Sequence, residues 1–407
     1  MTSKDAAIQI VKRLRSKGFQ ALLAGGCVRD MLLGRPANDY DVAADAEPAD
    51  VIHLFRRTLK VGAKFGVVIV LVDDHQIEVA TFRSDAEYVD GRRPTQVTFT
   101  TLEQDALRRD FTVNGMFFDP LEGKVIDYVG GQADLERRVI RTIGKPSERF
   151  SEDFLRMLRA VRFSTQLAFS MDPATYTAIC DHAPKITGIS GERISMELEG
   201  ILTCPGRAEG ARLLKETGLA AAIFPGLGSD QMEMALGVLG RLRWVTSFPL
   251  SLAAFFVGCR TEAALENMDL LKLSRGQTRH VQFLLDHRGD LIKDDMSLAE
   301  LKRFLAKPYF WDLYELQRAI QKAITGPVEP LVRLRRRVRE LAGVELRPKP
   351  LLSGHDLMRL GMAPGPGLGQ LAEQLYVAQL EGQVRTADNA REWAVDWIRR
   401  NQCGRRP

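Results

Sequence analysis

Strand-like sequence stops at about Phe150, and this change of pattern restricts the chain to a mixed front part followed by a helical remainder. In the front part, Ala21–Ala24 is a short apolar run that ends in Gly25-Gly26, and Val28–Leu33 can open a helix directly after it. Asp39–Val42 reads as a short strand and Pro48–Leu59 has helical spacing. Gly66–Val72 (GVVIVLV) is β-branched and predicts a central strand, from which Asp73-Asp74 turns into a second strand, Gln76–Phe82. The polar Ser84–Gln96 stretch predicts a mobile loop. Beyond Phe150 the segments Glu152–Phe163, Glu192–Leu202, Ala208–Thr217, Gln231–Leu242, Leu298–Leu305, Phe310–Thr325 and Val328–Ala342 carry apolar residues at helical spacing. A bridge over Gly343–Leu352 leads to two or three further helices, broken at Pro364-Gly365-Pro366-Gly367. At 407 residues the chain exceeds one ordinary core, and only 7% aromatic residues argue against a large β-sandwich. The expected class is therefore α+β: a mixed sheet with helices, then an all-α part.

Other classes are excluded by what the sequence lacks. The cysteines, Cys27, Cys180, Cys204, Cys259 and Cys403, include no C-x-x-C pair and are odd in number, which argues against a disulfide framework or zinc site and for reduced thiols in the cytoplasm. The six histidines are scattered. The N-terminal segment is charged throughout and reads as a helix rather than a signal peptide. No stretch reaches the roughly 18 apolar residues that a membrane helix needs. A net charge of +5 is too mild to imply nucleic acid by itself.

Chemistry concentrates in three clusters. The first is Gly25-Gly26-Cys27-Val28-Arg29-Asp30, followed nine residues later by Asp39-Tyr40-Asp41. Side chains two apart on a strand share a face, so Asp39 and Asp41 can aim at one spot. Adjacent carboxylates repel unless a cation lies between them, and hard Mg²⁺ with phosphate oxygens suits such a pair. Glu78, in QIEVATF, is the candidate third acid, sharing a face with Ala80 and Phe82. Two metals about 4 Å apart would activate an attacking hydroxyl and stabilise a leaving pyrophosphate. Gly25 and Gly26 allow close backbone approach to an anion, and Arg29 can grip a phosphate. A D-x-D alone is usually a solvated turn; its place after a GG turn is what points to metal.

The second cluster, Arg108–Asn114 (RRDFTVN), admits two readings. Either it is an exposed helix start capped by Asp110, or Arg109 meets a triphosphate and Asp110 a ribose hydroxyl. The third cluster is Glu152–Arg162. On one continuous helix Asp153 and Arg156, three apart, are surface neighbours: a plain ion pair, or an acceptor and a donor edge reading a base. Arg156, Arg159 and Arg162 repeat every three residues, so the stripe drifts about 60° per step and carries Arg162 nearly opposite Asp153.

In this order the clusters resemble the class II tRNA nucleotidyltransferase/poly(A) polymerase family. Its motifs look like GGCVRD…DYD, RRDFTVN, DYVGGQADL at Asp127–Leu135, EDFLR at Glu152–Arg156 and ERISMEL at Glu192–Leu198, over roughly residues 20–205. The resemblance implies a polymerase-β-like palm in a head (1–145), then an all-α neck (146–205), body (206–342) and tail (343–407). It implies that Asp39 and Asp41 hold Mg²⁺, with Glu78 beside them. Gly25, Gly26, Arg29, Arg109, Asn114, Arg159 and Arg162 then contact the nucleotide, and Asp110 its sugar. Asp153 and Arg156 form a protein template for the CTP or ATP base, oriented by Glu152.

Bacterial poly(A) polymerases of the family carry an Arg-Arg-Phe segment where this chain has Gly62–Val67 (GAKFGV), which disfavours that activity. The Ser84–Gln96 loop resembles the flexible loop of full CCA-adding members. Addition of the final A alone stays open, and CC-only addition less so. A non-catalytic RNA-binding protein is disfavoured by the intact Asp39 and Asp41. The implied partner is the tRNA 3′ end with its acceptor stem and elbow. Arg333, Arg335, Arg336, Arg337 and Arg339 read as a solvated helix face or as contacts to the tRNA backbone. The four tryptophans (Trp244, Trp311, Trp393, Trp397) read as core residues rather than stacking platforms.

Overall fold

The computed structural model describes residues 1–37, 39–85, 97–293 and 296–402. These divide into two compact units. One comprises Met1–Leu236, Trp244–Ser251 and Gly258–Ser274; the other comprises Gly237–Arg243, Leu252–Val257 and Arg275–Pro407.

The first unit begins with α1 (Ser3–Arg15), closed at its start by a reciprocal Thr2–Asp5 capping box. Its apolar face, with Ala6, Ile10 and Leu14 fully buried, packs against a seven-stranded sheet. Chain order runs β1 (Ala21–Ala24), α2 (Gly26–Leu32), β2 (Asp41–Ala44), α3 (Pro48–Leu54), β3 (Thr58–Leu59), β4 (Val67–Val72) and β5 (His75–Thr81). A small separate ribbon, β6 (Arg83–Asp85) with β7 (Val97–Phe99), precedes α4 (Leu102–Leu107), β8 (Phe117–Asp119) and β9 (Lys124–Ile126). The strand order is β3-β4-β5-β2-β1-β8-β9. Only β2 and β5 are parallel, so the sheet is mixed as the sequence predicts. On β5 the period-2 pattern is clean: Ile77, Val79 and Thr81 face the core while Gln76 and Glu78 are exposed.

Two boundaries differ from expectation. The strand predicted at Asp39–Val42 begins at Asp41 and runs to Ala44, because pairing with Ala21–Ala24 fixes it there. The helix predicted to end at Leu59 stops at Leu54, and Thr58-Leu59 joins the sheet edge against β4.

After α5 (Gly131–Arg137) and β10 (Val139–Ile140) the chain becomes nearly all helical, with β11 (Ser170–Met171) paired to β10 as the exception. The predicted Glu152–Phe163 helix is two helices, α6 (Pro146–Glu152) and α7 (Leu155–Leu167). Asp153 between them is extended (φ −151°, ψ 105°), and its side chain accepts the Leu155 N–H at 3.0 Å. This local bond offers the backbone an alternative to continuing the helix. Then follow α8 (Pro173–His182), α9 (Gly191–Leu202), α10 (Arg207–Glu216) and α11 (Leu219–Ile223), with Leu158, Val161, Ile194, Leu198 and Leu214 in their common core.

Further along, α12 (Ser229–Leu239) agrees with its predicted span to within three residues at each end. The sequence reading missed α13 (Phe248–Phe255), α14 (Thr261–Asp269) and α15 (Arg275–Asp286), as it had α4, α5, α8 and α11. In the second unit, α16 (Leu298–Leu305), α17 (Phe310–Ala323) and α18 (Glu329–Glu340) lie where expected. α18 buries Leu331 and Leu334 and exposes Arg335, Arg336 and Arg339. The last three helices, α19 (Gly354–Arg359), α20 (Pro366–Leu380) and α21 (Ala387–Gln402), enclose a core of Leu357, Leu371, Leu375, Ala390 and Ala394. Trp393 and Trp397 pack against it. Trp244 and Trp311 are 76% and 57% exposed, so the core reading fails for them. Among the described residues no helix is long and apolar enough to cross a membrane, and Cys27, Cys180, Cys204 and Cys259 are free thiols.

Candidate active site

A cleft of about 870 Å³ opens in the first unit. From the first cluster Gly25, Gly26, Arg29 and Asp41 line it, and from the second Arg109, Asp110 and Asn114. The third contributes Asp153, Arg156 and Arg159. Asp39, Glu78, Glu152 and Arg162 are not among its lining residues.

Gly25, between β1 and α2, has φ +75° and ψ −132°, a conformation strained for any residue with a Cβ. A Cβ there would lie 3.1 Å from Arg109 Nη1, so the glycine also clears space for that guanidinium. Gly26 is under no such constraint. Arg29, one turn into α2, donates to both carboxylate oxygens of Asp30 and, at 2.7 Å, to Asn114 Oδ1.

Asp41 opens β2. The register pairs Ala43 with Ala80 across the parallel strands, so Asp41 and Glu78, two residues earlier on each, share one face of the sheet. The Asp41 carboxyl is pushed up to about 6, first by burial and then by the charge of Glu78, with Asp39 adding to it and Arg109 opposing. Asp39 lies in the exposed connection before β2 rather than on the strand with Asp41. Among the described residues no three acidic, histidine or cysteine side chains converge closely enough to form a preassembled metal site. The donor set is nonetheless that of a hard cation: all oxygen, mutually repelling, at the edge of a cleft lined by arginines.

The second cluster is neither an exposed helix start nor a simple cap. It follows the end of α4 as a buried turn, Thr112–Asn114. Asp105, buried on α4, holds Arg108 at 2.7 Å and Arg109 at 3.0 Å, and Arg109 lies over the Phe117 ring at 4.8 Å. Asp110 Oδ1 accepts the Phe111 N–H at 2.8 Å, and Asp110 Oδ2 accepts both Nε (2.8 Å) and Nη2 (2.6 Å) of Arg159. Burial alone would raise the Asp110 carboxyl; the Arg159 guanidinium outweighs it and holds the group at about 2.

The break between α6 and α7 changes the third cluster most. Asp153 and Arg156 are not paired as neighbours on one helix. Arg156 donates to Glu152 and, at 3.0 Å, to the Arg149 carbonyl, while Asp153 accepts from Arg193 of α9 at 2.6 Å. Arg162 points away from the cleft to Glu197 at 2.6 Å, because its position on α7 is turned toward α9. Phe163 gathers three guanidiniums over its ring: Arg29 and Arg159 at 5.3 Å, and Arg162 at 4.2 Å.

Sequence reasoning overlooked the supporting groups. Arg149, buried, ties Glu152 (2.5 Å) to the carbonyls of Arg108 and Arg109. Asp105 had a local signal, standing three and four residues before the arginines it holds. Arg193 and Glu197 lie within the fifth motif, yet nothing in the chain marks their partners some 35 to 40 residues away.

Comparison with known proteins agrees with this geometry. Residues 21–141 match the family described as poly A polymerase head domain, and residues 168–230 the one described as probable RNA and SrmB- binding site of polymerase A. The CCA-adding enzyme of Geobacillus stearothermophilus is 35% identical over 406 residues, covering 96% of each chain. The crystal structure of the Bacillus stearothermophilus CCA-adding enzyme in complex with CTP superposes with a TM-score of 0.83 at 31% identity, covering 99% of this chain and 100% of that one. The Thermotoga maritima CCA-adding enzyme complexed with tRNA shares the fold, with a TM-score of 0.70 at 20% identity over 97% and 95% of the two chains. Near-complete coverage at this identity, with five motifs in order and four of them contributing to one cleft, means that the chain belongs to the class II tRNA nucleotidyltransferase/poly(A) polymerase family, in its branch of bacterial CCA-adding enzymes.

Proposed function

We propose that the protein completes the 3′ CCA end of tRNA from CTP and ATP in the cytoplasm, releasing pyrophosphate. The observation that carries this reading is the convergence of three separate sequence clusters on one cleft with room for a nucleoside triphosphate. The head (1–145) supplies the first two clusters, and the neck (146–205) supplies the third. The body (206–342) and tail (343–407) would hold the acceptor stem and elbow through phosphate contacts, the arginines of α18 among them.

Arg29, Arg109 and Arg159 bind the triphosphate, and Gly25 and Gly26 let it approach the backbone. Asp110 and Asn114 meet the sugar. Asp153 and Arg156 present an acceptor and a donor to the base edge, with Glu152 orienting Arg156. Asp39 and Asp41 are the residues that would hold Mg²⁺, with Glu78 adding charge beside them. When bound, two such ions would supply activation of the attacking hydroxyl and neutralisation of the departing charge. The terminal 3′ oxygen of the tRNA bonds to the α-phosphorus, the bond from the α-phosphorus to the bridging oxygen breaks with its electron pair leaving on pyrophosphate, and the hydroxyl proton passes to solvent. Arg162, bound to Glu197, supports Arg159 from behind rather than meeting the nucleotide. The polar loop of residues 86–96 lies outside the described residues.

The test is product sequencing on three tRNAs, truncated before the first C, the second C and the final A. Growth to CCA and no further on all three is expected. A long A tail would make the protein a poly(A) polymerase; growth only on the substrate ending in CC, or arrest after two residues, would make it an A-adding or CC-adding enzyme.

A further inference from the structure

We infer that Arg193 is a positioning residue for base choice, locking the Asp153 carboxylate so that a single acceptor direction faces the incoming base. This rests on the reading of Asp153 as a base-contacting group. A carboxylate offers about four lone-pair directions. In Asp153, Oδ2 accepts from Arg193 Nη2 at 2.6 Å, and Oδ1 accepts from the Leu155 N–H at 3.0 Å and from Arg193 Nη1 at 3.4 Å. Three directions are thus occupied and one is left.

The fork is held from both sides. Asp153 sits on the extended residue between α6 and α7, tied by its own side chain to the start of α7. Arg193 sits in the first turn of α9, whose opening residue is pinned: a Cβ on Gly191 would fall 1.6 Å from the Leu270 carbonyl oxygen. Any side chain at 191 would push the helix start, and Arg193 with it, away. The pair is also at the cleft wall rather than in the packed interior. Both residues line the cleft, with side chains 14% and 23% exposed.

The chemistry follows from the base edges. Cytosine and adenine carry an exocyclic amine, a donor; uracil and guanine carry a carbonyl, an acceptor, at the corresponding place. A carboxylate with one fixed free acceptor accepts from the first pair and repels the second. A carboxylate free to turn adapts, through water, to either. The bidentate guanidinium imposes this orientation in full; an ammonium, a point charge with no plane, keeps one contact but not the fork.

The experiment measures kcat/KM for CTP, ATP, UTP and GTP on truncated tRNA with wild type, Arg193→Ala, Arg193→Lys, Asp153→Ala and the double variant, together with their melting temperatures. Arg193→Ala should lower the preference for CTP and ATP over UTP and GTP by about tenfold or more. Arg193→Lys should restore part of it, and the double variant should be no less selective than Asp153→Ala alone. An equal loss for all four nucleotides with a lowered melting temperature would assign Arg193 a structural role only and overturn the inference. So would unchanged preference in Arg193→Ala beside lost preference in Asp153→Ala. If Asp153→Ala itself keeps full preference, the base-reading assignment falls, and the inference with it. Should Arg193→Ala not fold, the lysine variant alone decides: a preference equal to wild type rejects the orienting fork.

Discussion

Asp41→Asn is expected to abolish nucleotide incorporation, a loss of at least about a thousandfold, while leaving tRNA affinity within a factor of about two. Asp41 opens the strand at the cleft edge, shares a sheet face with Glu78 and lines the space proposed for the triphosphate. Arg109 offsets its charge only in part, and burial together with Glu78 pushes its carboxyl up to about 6. A group whose folded value lies above its unfolded one favours folding when protonated and opposes it when ionised. At pH 7, with the metal chelated, ionised Asp41 therefore costs stability, up to roughly 2 kcal/mol once its partial exposure is allowed for. The asparagine variant removes that cost. It should melt at or above the wild-type temperature in chelator, yet incorporate nothing when Mg²⁺ is restored. Labelled-nucleotide incorporation, filter binding of tRNA and thermal melting read the three quantities. Wild-type turnover in this variant would remove Asp41 from the metal-holding role.

Asp110→Ala should have the largest effect on stability. The Asp110–Arg159 pair joins the turn after α4 to α7, and the carboxylate is buried with three hydrogen bonds from Phe111 and Arg159. Without it Arg159 keeps the more distant Glu197 carboxylate, at 3.8 Å, and the Phe163 ring. Breaking a buried pair by removing one partner costs about 3–5 kcal/mol, and a guanidinium one-third exposed puts this case near the lower end. That corresponds to a fall in melting temperature on the order of 5–10 °C for a unit of this size. The pH dependence has a definite sign. Asp110 is held at about 2 in the fold, below its ordinary value of 3.8, so its contribution is complete above about pH 4 and disappears as pH falls through 2. Acid titration of stability should therefore be shallower between pH 4 and 2 in the variant than in wild type. Parallel curves would show that Asp110 does not carry this linkage.

How much of this was legible in the sequence depends on how local each cause was. β4 and β5 were readable because a β-branched run and a clean alternation specify them, and α16 because its apolar residues recur at helical spacing. β2 was displaced by two residues: its alanines carry little strand preference, and its ends are set by pairing with β1 and β5. The single helix drawn through Glu152–Phe163 failed for a different reason. Apolar spacing continues through Phe154 and Leu155, so periodicity hides the break that the Asp153 side chain makes. Pro146, well placed at the first turn of a helix, was the available signal that one had started earlier. In the cleft, the residues that line it from the three clusters were legible because their types and spacing single them out, whereas Asp39, Glu78, Glu152 and Arg162 are not among its lining. The groups that aim the lining residues, Arg149, Arg193 and Glu197, were not legible, since each acts across a contact distant in sequence.

β2 is only four residues long, and Val42, Ala43 and Ala44 are buried whichever way they face. An alternation of apolar and polar residues cannot therefore tell this segment which side to turn up, and a slip of one position would cost little burial while hiding Asp41 beneath the sheet. Its orientation is imposed by its two neighbours, one of which arrives more than thirty residues later along the chain. The acid group thus acquires its aim only when the last flanking strand docks, so an ion held there would bind the folded front end alone and favour it by mass action.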